Sequence, residues 1–284
     1  MIRILIFLSV ILMPLSCDSD QGVYDTGNLK TGTRWMELPS MNDSSVDYYT
    51  HSFVYKRKSY RNYSFAWSQD DLVSLWVAYP LCPMYTDKGV DRTEAWSYDP
   101  LLGEESSPAP FKGYAGDYAR GHQVPSADRM CCKKANEQTF YGTNIAPQLN
   151  EHNDGIWNRL ETYVRNVAEK SDTIYVVTGC VVDGSKKKTE DSDGKTITVP
   201  LAYFKALLRY DKDSDIAQWS GAAFYTEHKN YGKDPDSFKS VAMSIDELEK
   251  KTGMNFFVNL PAEIGDANAA YVEAQNPADS GLWW

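Results

Sequence analysis

Arg120, Gly121 and His122 place a guanidinium beside an imidazole, separated by a glycine that would let the backbone turn tightly. Downstream, Asn144 and Asn153 add two amides, and Glu161 adds a carboxylate eight residues after Asn153. Imidazole, guanidinium, amide and carboxylate are the groups that metal-assisted cleavage of a phosphodiester requires. A histidine near an arginine is also a common structural pair, so the weight rests on the whole pattern and on what each residue type can contribute.

Water attacks a phosphodiester poorly because it is a weak nucleophile and negative charge builds on the phosphorus oxygens. An imidazole that titrates near neutrality can take the water's proton, which makes His122 the candidate general base. A hard divalent cation, Mg2+ first and Mn2+ as the alternative, binds few protein groups and keeps several waters. Asn153 is the candidate direct metal ligand, because an amide carbonyl leaves the ion's charge uncancelled. Glu161, about two helical turns further on, is the candidate for holding metal-bound water; its competing reading is a solvated helix face. Arg120, Arg92 and Arg165 are candidates for clamping the phosphate. Asn144 is expected to orient its loop or the metal's waters. Trp157 fits the apolar stripe of its helix better than a base-stacking role. His152, next to Asn153, is the closest rival to His122, while His51 and His228 lack comparable surroundings.

The string Tyr118-Ala-Arg-Gly-His-Gln-Val-Pro-Ser-Ala-Asp128, followed by Thr143-Asn-Ile-Ala-Pro-Gln148 and by Asn153, Trp157 and Glu161 at four-residue steps, resembles the DNA/RNA non-specific endonucleases. These are the ββα-metal nucleases whose signature reads Asp-Arg-Gly-His. Leu75-Trp-Val-Ala-Tyr79, Arg92 with Trp96 and Asp99-Pro100, Tyr175-Val-Val-Thr-Gly179 and Val199-Pro-Leu-Ala-Tyr-Phe-Lys205 extend the resemblance from about Phe53 to Leu260. Ala119 stands where the family has its aspartate. The resemblance implies an α+β, ββα-metal fold, with a mixed central antiparallel sheet flanked by helices in a single domain. It also implies DNA and RNA as substrates, cut with little sequence preference because backbone phosphate is read instead of base edges. The alternative left open by Ala119 is an inactive or narrowed surface protein that binds nucleic acid or another ligand.

The elements that must position these residues follow from periodicity. A strand is expected to carry Arg120 and His122, and a helix opened by Asn153 or Asp154 to carry Glu161 and Arg165 on one face, with Ile156, Trp157, Leu160, Val164 and Val167 buried. Tyr63–Trp67 and Leu72–Pro80 read as a hairpin, with Ser74–Tyr79 a buried central strand. Further strands are expected at Thr173–Cys180, Thr196–Val199 and Tyr203–Tyr210, and short structure at Gln123–Asp128 and Lys133–Phe140. Ser244, Glu247 and Gly253 spell a capped helix.

Upstream, Arg3 and the apolar run Ile4–Met13 form an export signal over residues 1–16, too short for a permanent span. Ser16-Cys17 resembles a lipobox, so Cys17 is expected to be lipidated and the protein anchored at a membrane, in the periplasm or at the cell surface; otherwise it is secreted. Residues 17–45 read as a polar tether, 46–262 as the domain, and 263–284 as a loosely attached tail. Beyond Cys17, the even count of Cys82, Cys131, Cys132 and Cys180 points to disulfides joining Cys131 and Cys132 to Cys82 or Cys180, with zinc as the rival reading. The net charge of −10 is the wrong sign for a broad phosphate-neutralising surface, so any nucleic-acid contact must rest on a local basic groove.

Overall fold

The computed structural model describes the backbone of 27–28, then residues 33–40 and 46–284; the export signal and Cys17 lie outside these residues. Its strands are β1 (Gly27–Asn28), β2 (Asp47–Tyr55), β3 (Lys58–Ser68), β4 (Val73–Leu81), β5 (Tyr118–His122), β6 (Ile145–Leu149), β7 (Thr173–Val181), β8 (Lys188–Glu190), β9 (Thr196–Thr198), β10 (Ala202–Tyr210), β11 (Trp219–Glu227) and β12 (Ala242–Met243). Eight of them form one sheet in the order β1-β2-β3-β4-β7-β10-β11-β12, every pairing antiparallel. β5 pairs with β6, and β8 with β9, as separate antiparallel ribbons. The α+β class and the large antiparallel sheet are as expected.

The sheet is apolar on both faces because its central strands are buried on both, which is why they read as unbroken hydrophobic runs. Along β7, Ile174 and Val176 point into one cluster while Tyr175 and Val177 point into the other, as the two-residue period of a strand requires. The first cluster lies beneath the β5–β6 ribbon and the helix α1 (Asn158–Ala168), which contributes Leu160 and Val164 alongside Trp157. The second lies beneath α2 (Ile245–Thr252) and α3 (Asp266–Ala274). α2 has the cap that its sequence spells: Ser244 accepts from the Glu247 backbone, the Glu247 carboxylate accepts from the Ser244 backbone, and Gly253 ends the helix at φ 71°.

Three expectations are corrected. The chain before residue 46 is not wholly a tether: Met36 and Leu38 join the second cluster, and Glu37 is buried and takes the Arg61 guanidinium at 2.9 Å. The segment from 263 onward is not loose either. Val272 and Trp283 are buried, the Tyr163 hydroxyl donates to the Trp283 carbonyl at 2.5 Å, and Arg209 donates to the Leu282 carbonyl at 3.0 Å. The expected cysteine pairing fails as well. Cys131, Cys132 and Cys180 are free thiols, so neither Cys131 nor Cys132 is joined to Cys82 or Cys180.

Trp283→Ala removes a buried indole, for which the usual loss is about 3 kcal/mol. Its urea unfolding midpoint should fall accordingly at unchanged slope. A midpoint equal to that of the parent would show that the terminal segment carries no stability.

Candidate active site

β5 and β6 set the positions of Arg120 and His122, with Ala119 opposite Gln148, Arg120 opposite Pro147 and His122 opposite Ile145. Gly121 does not make a turn; it lies within the strand. A Cβ there would fall 2.4 Å from the Gln148 amide oxygen and 3.1 Å from the Ala146 carbonyl, so the glycine is required by the close approach of β6. Asn144 then fastens the chain that leaves His122. Its backbone carbonyl accepts from Gln123, its side-chain oxygen accepts from the Val124 amide at 2.9 Å, and its Nδ2 donates to the Val124 and Thr139 carbonyls. Fully buried and engaged in this way, Asn144 orients the loop.

The His122 ring lies between Trp96 and Phe140, with centroids 5.5 and 5.3 Å away. Nε2 is buried without a hydrogen-bond partner. The Arg120 backbone raises the ring's proton affinity against the larger effect of burial, and Nε2 is left free to meet a reactant. Burial, with the positive charges of Arg92 and Arg120, pushes the imidazole down to about 3, so it is neutral throughout the physiological range.

Both arginines stand on aromatic rings. Arg120 stacks 3.7 Å from the Trp96 centroid and donates to the carbonyls of Pro110 and Phe111. Arg92 lies 4.8 Å above Phe140, donates to Ser126 Oγ at 2.7 Å, and is paired through Nε with Glu94. Glu94 also accepts from the Trp96 indole at 2.9 Å.

Glu161 comes from α1. The helical path starts earlier than expected, with one turn at Asn150–His152, and widens into a π-turn over Asn153–Trp157 in which Gly155 leaves helical geometry. Asn153 is thus inside the path (φ −60°, ψ −55°) and not its N-cap; the amide Nδ2 donates to Asp154 at 2.9 Å, which turns the carbonyl oxygen away from that contact. Glu161 is pushed up to about 7, chiefly by burial and further by Asp128, against the pull of Lys205, Arg165 and Arg92. The positive charge of Arg92 lowers the proton affinity of both His122 and Glu161.

Arg165 is used differently from Arg92 and Arg120. It donates to Asp128 Oδ1 at 3.0 Å and to Thr162, while the Tyr79 hydroxyl holds Asp128 Oδ2 at 3.0 Å. Beneath them Lys205, 1% exposed, donates to Thr178 Oγ1 at 2.7 Å and lies 4.6 Å above the Trp157 ring. Its own burial lowers the ammonium to about 8. Asp128 and Lys205 had no assigned role in the sequence reading. The available signal was Lys205 itself, a charge within an otherwise apolar strand.

The other histidines are structural. His152 is fully buried between Gln148 Nε2 at 2.7 Å and Thr226 Oγ1 at 3.0 Å. His228 accepts from the Leu149 amide and contacts the Pro200 carbonyl, and His51 is paired with buried Asp99 at 2.8 Å.

A neutral imidazole with an unpartnered Nε2, two ring-stacked guanidiniums beside it and the half-buried carboxylate of Glu161 are the groups that the fold gathers here. Residues 45–263 match the DNA/RNA non-specific endonuclease family, and the chain belongs to that family. It is 30% identical over 217 residues to the mitochondrial nuclease EXOG of Xenopus laevis, covering 73% of this chain and 60% of that one. A nuclease of Serratia marcescens is 30% identical over 196 residues (66% and 70%), and nuclease C1 of Cunninghamella echinulata var. echinulata 28% over 240 residues (78% and 90%). The chain thus spans about 60% of the length of the EXOG protein. Among solved structures, a chain of the EndoG/EndoGI complex superposes with a TM-score of 0.56 at 20% identity, over 74% of this chain and 86% of that one. The fold is of the ββα-metal type.

Lys205→Met should move the Glu161 titration upward from about 7, because the ammonium is the first of the charges holding that carboxyl down. The carboxyl C=O stretch, followed by difference infrared spectroscopy across pH, reads this directly. An unmoved midpoint would mean that the two groups do not interact.

Proposed function

We propose that the protein is a metal-dependent endonuclease that hydrolyses phosphodiester bonds of DNA and RNA with little sequence preference. The observation that carries this reading is the open Nε2 of a neutral His122 set between Arg92 and Arg120. In this reading His122 takes the proton of the attacking water. Arg92 and Arg120 bind the phosphodiester, and the anion offsets the positive field that depresses the imidazole, so the base strengthens as substrate arrives. Arg165 holds Asp128, and with Lys205 it balances Glu161.

The residues fit a divalent cation. Glu161 is a half-buried carboxylate held near its titration midpoint, which a cation would keep ionised, and the Asn153 carbonyl is turned away from its only described contact. Among the described residues no group of three or more His, Cys, Asp or Glu gathers as a cage. Asn153 as direct ligand and Glu161 through water would hold Mg2+, with Mn2+ as the alternative. When bound, the ion supplies Lewis-acid stabilisation of the charge developing on the phosphate. From the sequence, the enzyme is exported and anchored through a lipid on Cys17. Mass spectrometry of the native N-terminus should find the lipid there, and a chain starting elsewhere would remove the anchor.

His122→Ala should lose activity by a factor of about 10²–10⁴ on supercoiled plasmid. Asn153→Ala should be weak at low Mg2+ and partly restored by more, with EDTA abolishing cleavage throughout. His152→Ala should instead lower stability by about 2 kcal/mol, through its two lost hydrogen bonds, while the folded fraction still cuts. An inactive His152→Ala beside an active His122→Ala would reassign the base.

A further inference from the structure

Glu94 stands at the centre of the phosphate-binding groups and has no role in the chemistry above. One carboxylate oxygen takes Arg92 Nε and the other takes the Trp96 indole N–H at 2.9 Å, while Arg120 stacks on the face of that same indole at 3.7 Å. The carboxylate therefore lies beside the two guanidiniums that would receive a phosphodiester, and both arginines draw its proton affinity down. Its backbone is left-handed, φ 50°, a conformation that a side chain of this kind rarely adopts and that the surrounding contacts must sustain. Glu94 is also half-exposed, with 55% of its side chain accessible, so a polyanion can reach and displace it.

Resting on the nuclease reading, we propose that Glu94 is an intramolecular stand-in for the substrate phosphate and thereby sets the enzyme's affinity. In the free protein the carboxylate satisfies Arg92. A phosphodiester takes over that guanidinium by ligand exchange, and Glu94 swings into solvent. No bond is made or broken, and the local charge seen by the nucleic acid is one unit less positive than Arg92 and Arg120 alone would give. This carboxylate limits non-productive binding of polyanions by a chain that is acidic overall, and it keeps Arg92 aligned over Phe140 until substrate arrives.

Glu94→Gln keeps the size of the side chain and its acceptor for the Trp96 indole but removes the charge. It should lower KM several-fold on duplex DNA with kcat little changed. Binding to a duplex oligonucleotide in EDTA, followed by fluorescence anisotropy over a salt series, should show log K against log salt steeper by about 0.9, one additional net positive charge at the contact. Asp279→Asn, which removes a charge in the terminal segment, should change neither quantity. A raised KM or a lowered kcat in Glu94→Gln would mean that Glu94 only positions Arg92, and an unchanged salt slope would mean that it does not compete; either overturns the proposal. If the parent protein binds DNA in EDTA but does not cut with Mg2+, the nuclease reading fails while the salt slope still decides the role of Glu94.

Discussion

Beneath the site, the burial of opposite charges against one another constrains everything above it. Glu161, Lys205, Asp128 and Arg165 all lie in or at the edge of the core. None of them is tolerable there alone, because an unpaired ion in a low-dielectric interior carries a penalty of several kcal/mol. Each therefore depends on the others' positions: Lys205 from the middle of β10, Glu161 and Arg165 one turn apart on α1, Asp128 from the turn after β5, fixed by Tyr79 of β4. This ties the helix to the ribbon and both to the sheet. Arg165 of the helix and Tyr79 of the sheet hold the same Asp128 carboxylate, so the helix has little freedom to slide relative to His122.

His122 and His152 show how little the protonation state says about role. Burial pushes both imidazoles to about 3. His152 has a hydrogen-bond partner on each nitrogen and aromatic rings around it, and so it serves as a strut between β6 and β11. His122 has its Nε2 aimed at nothing. A buried polar atom without a partner is costly, and its presence at the meeting of two guanidiniums is best understood as a place kept for a reactant.

The local electrostatics run against the whole. A chain of net charge −10 concentrates positive charge by mounting Arg92 and Arg120 on aromatic faces, where the rings orient them and exclude water from one side. Glu94 moderates that field. The acidic surface elsewhere offers nothing to a polyanion, which confines attraction to the groove and favours weak contact of the kind suited to an enzyme that must release what it cuts.

The sequence by itself determined the pattern: His122 beside Arg120, the stripe that builds α1 with Glu161 on it, the capped helix Ser244–Gly253, and the hydrophobic runs of β4, β7 and β10. These are local properties, written in spacing and residue type, and local rules recover them. Only the tertiary structure decided the rest, because it depends on contacts between residues far apart in the chain. Nothing near Arg165 in sequence announces that Asp128 will occupy it, and nothing near Gly121 shows that Gln148 will press against it. The half-polar strand β2 and the small-residue strand β11 lack a clear period of their own and become strands only by pairing with β3 and β10. The terminal segment looked loose for the same reason: its helices are short and weakly amphipathic, and what holds them is Trp283 and Val272 packed into surfaces made by other parts of the chain.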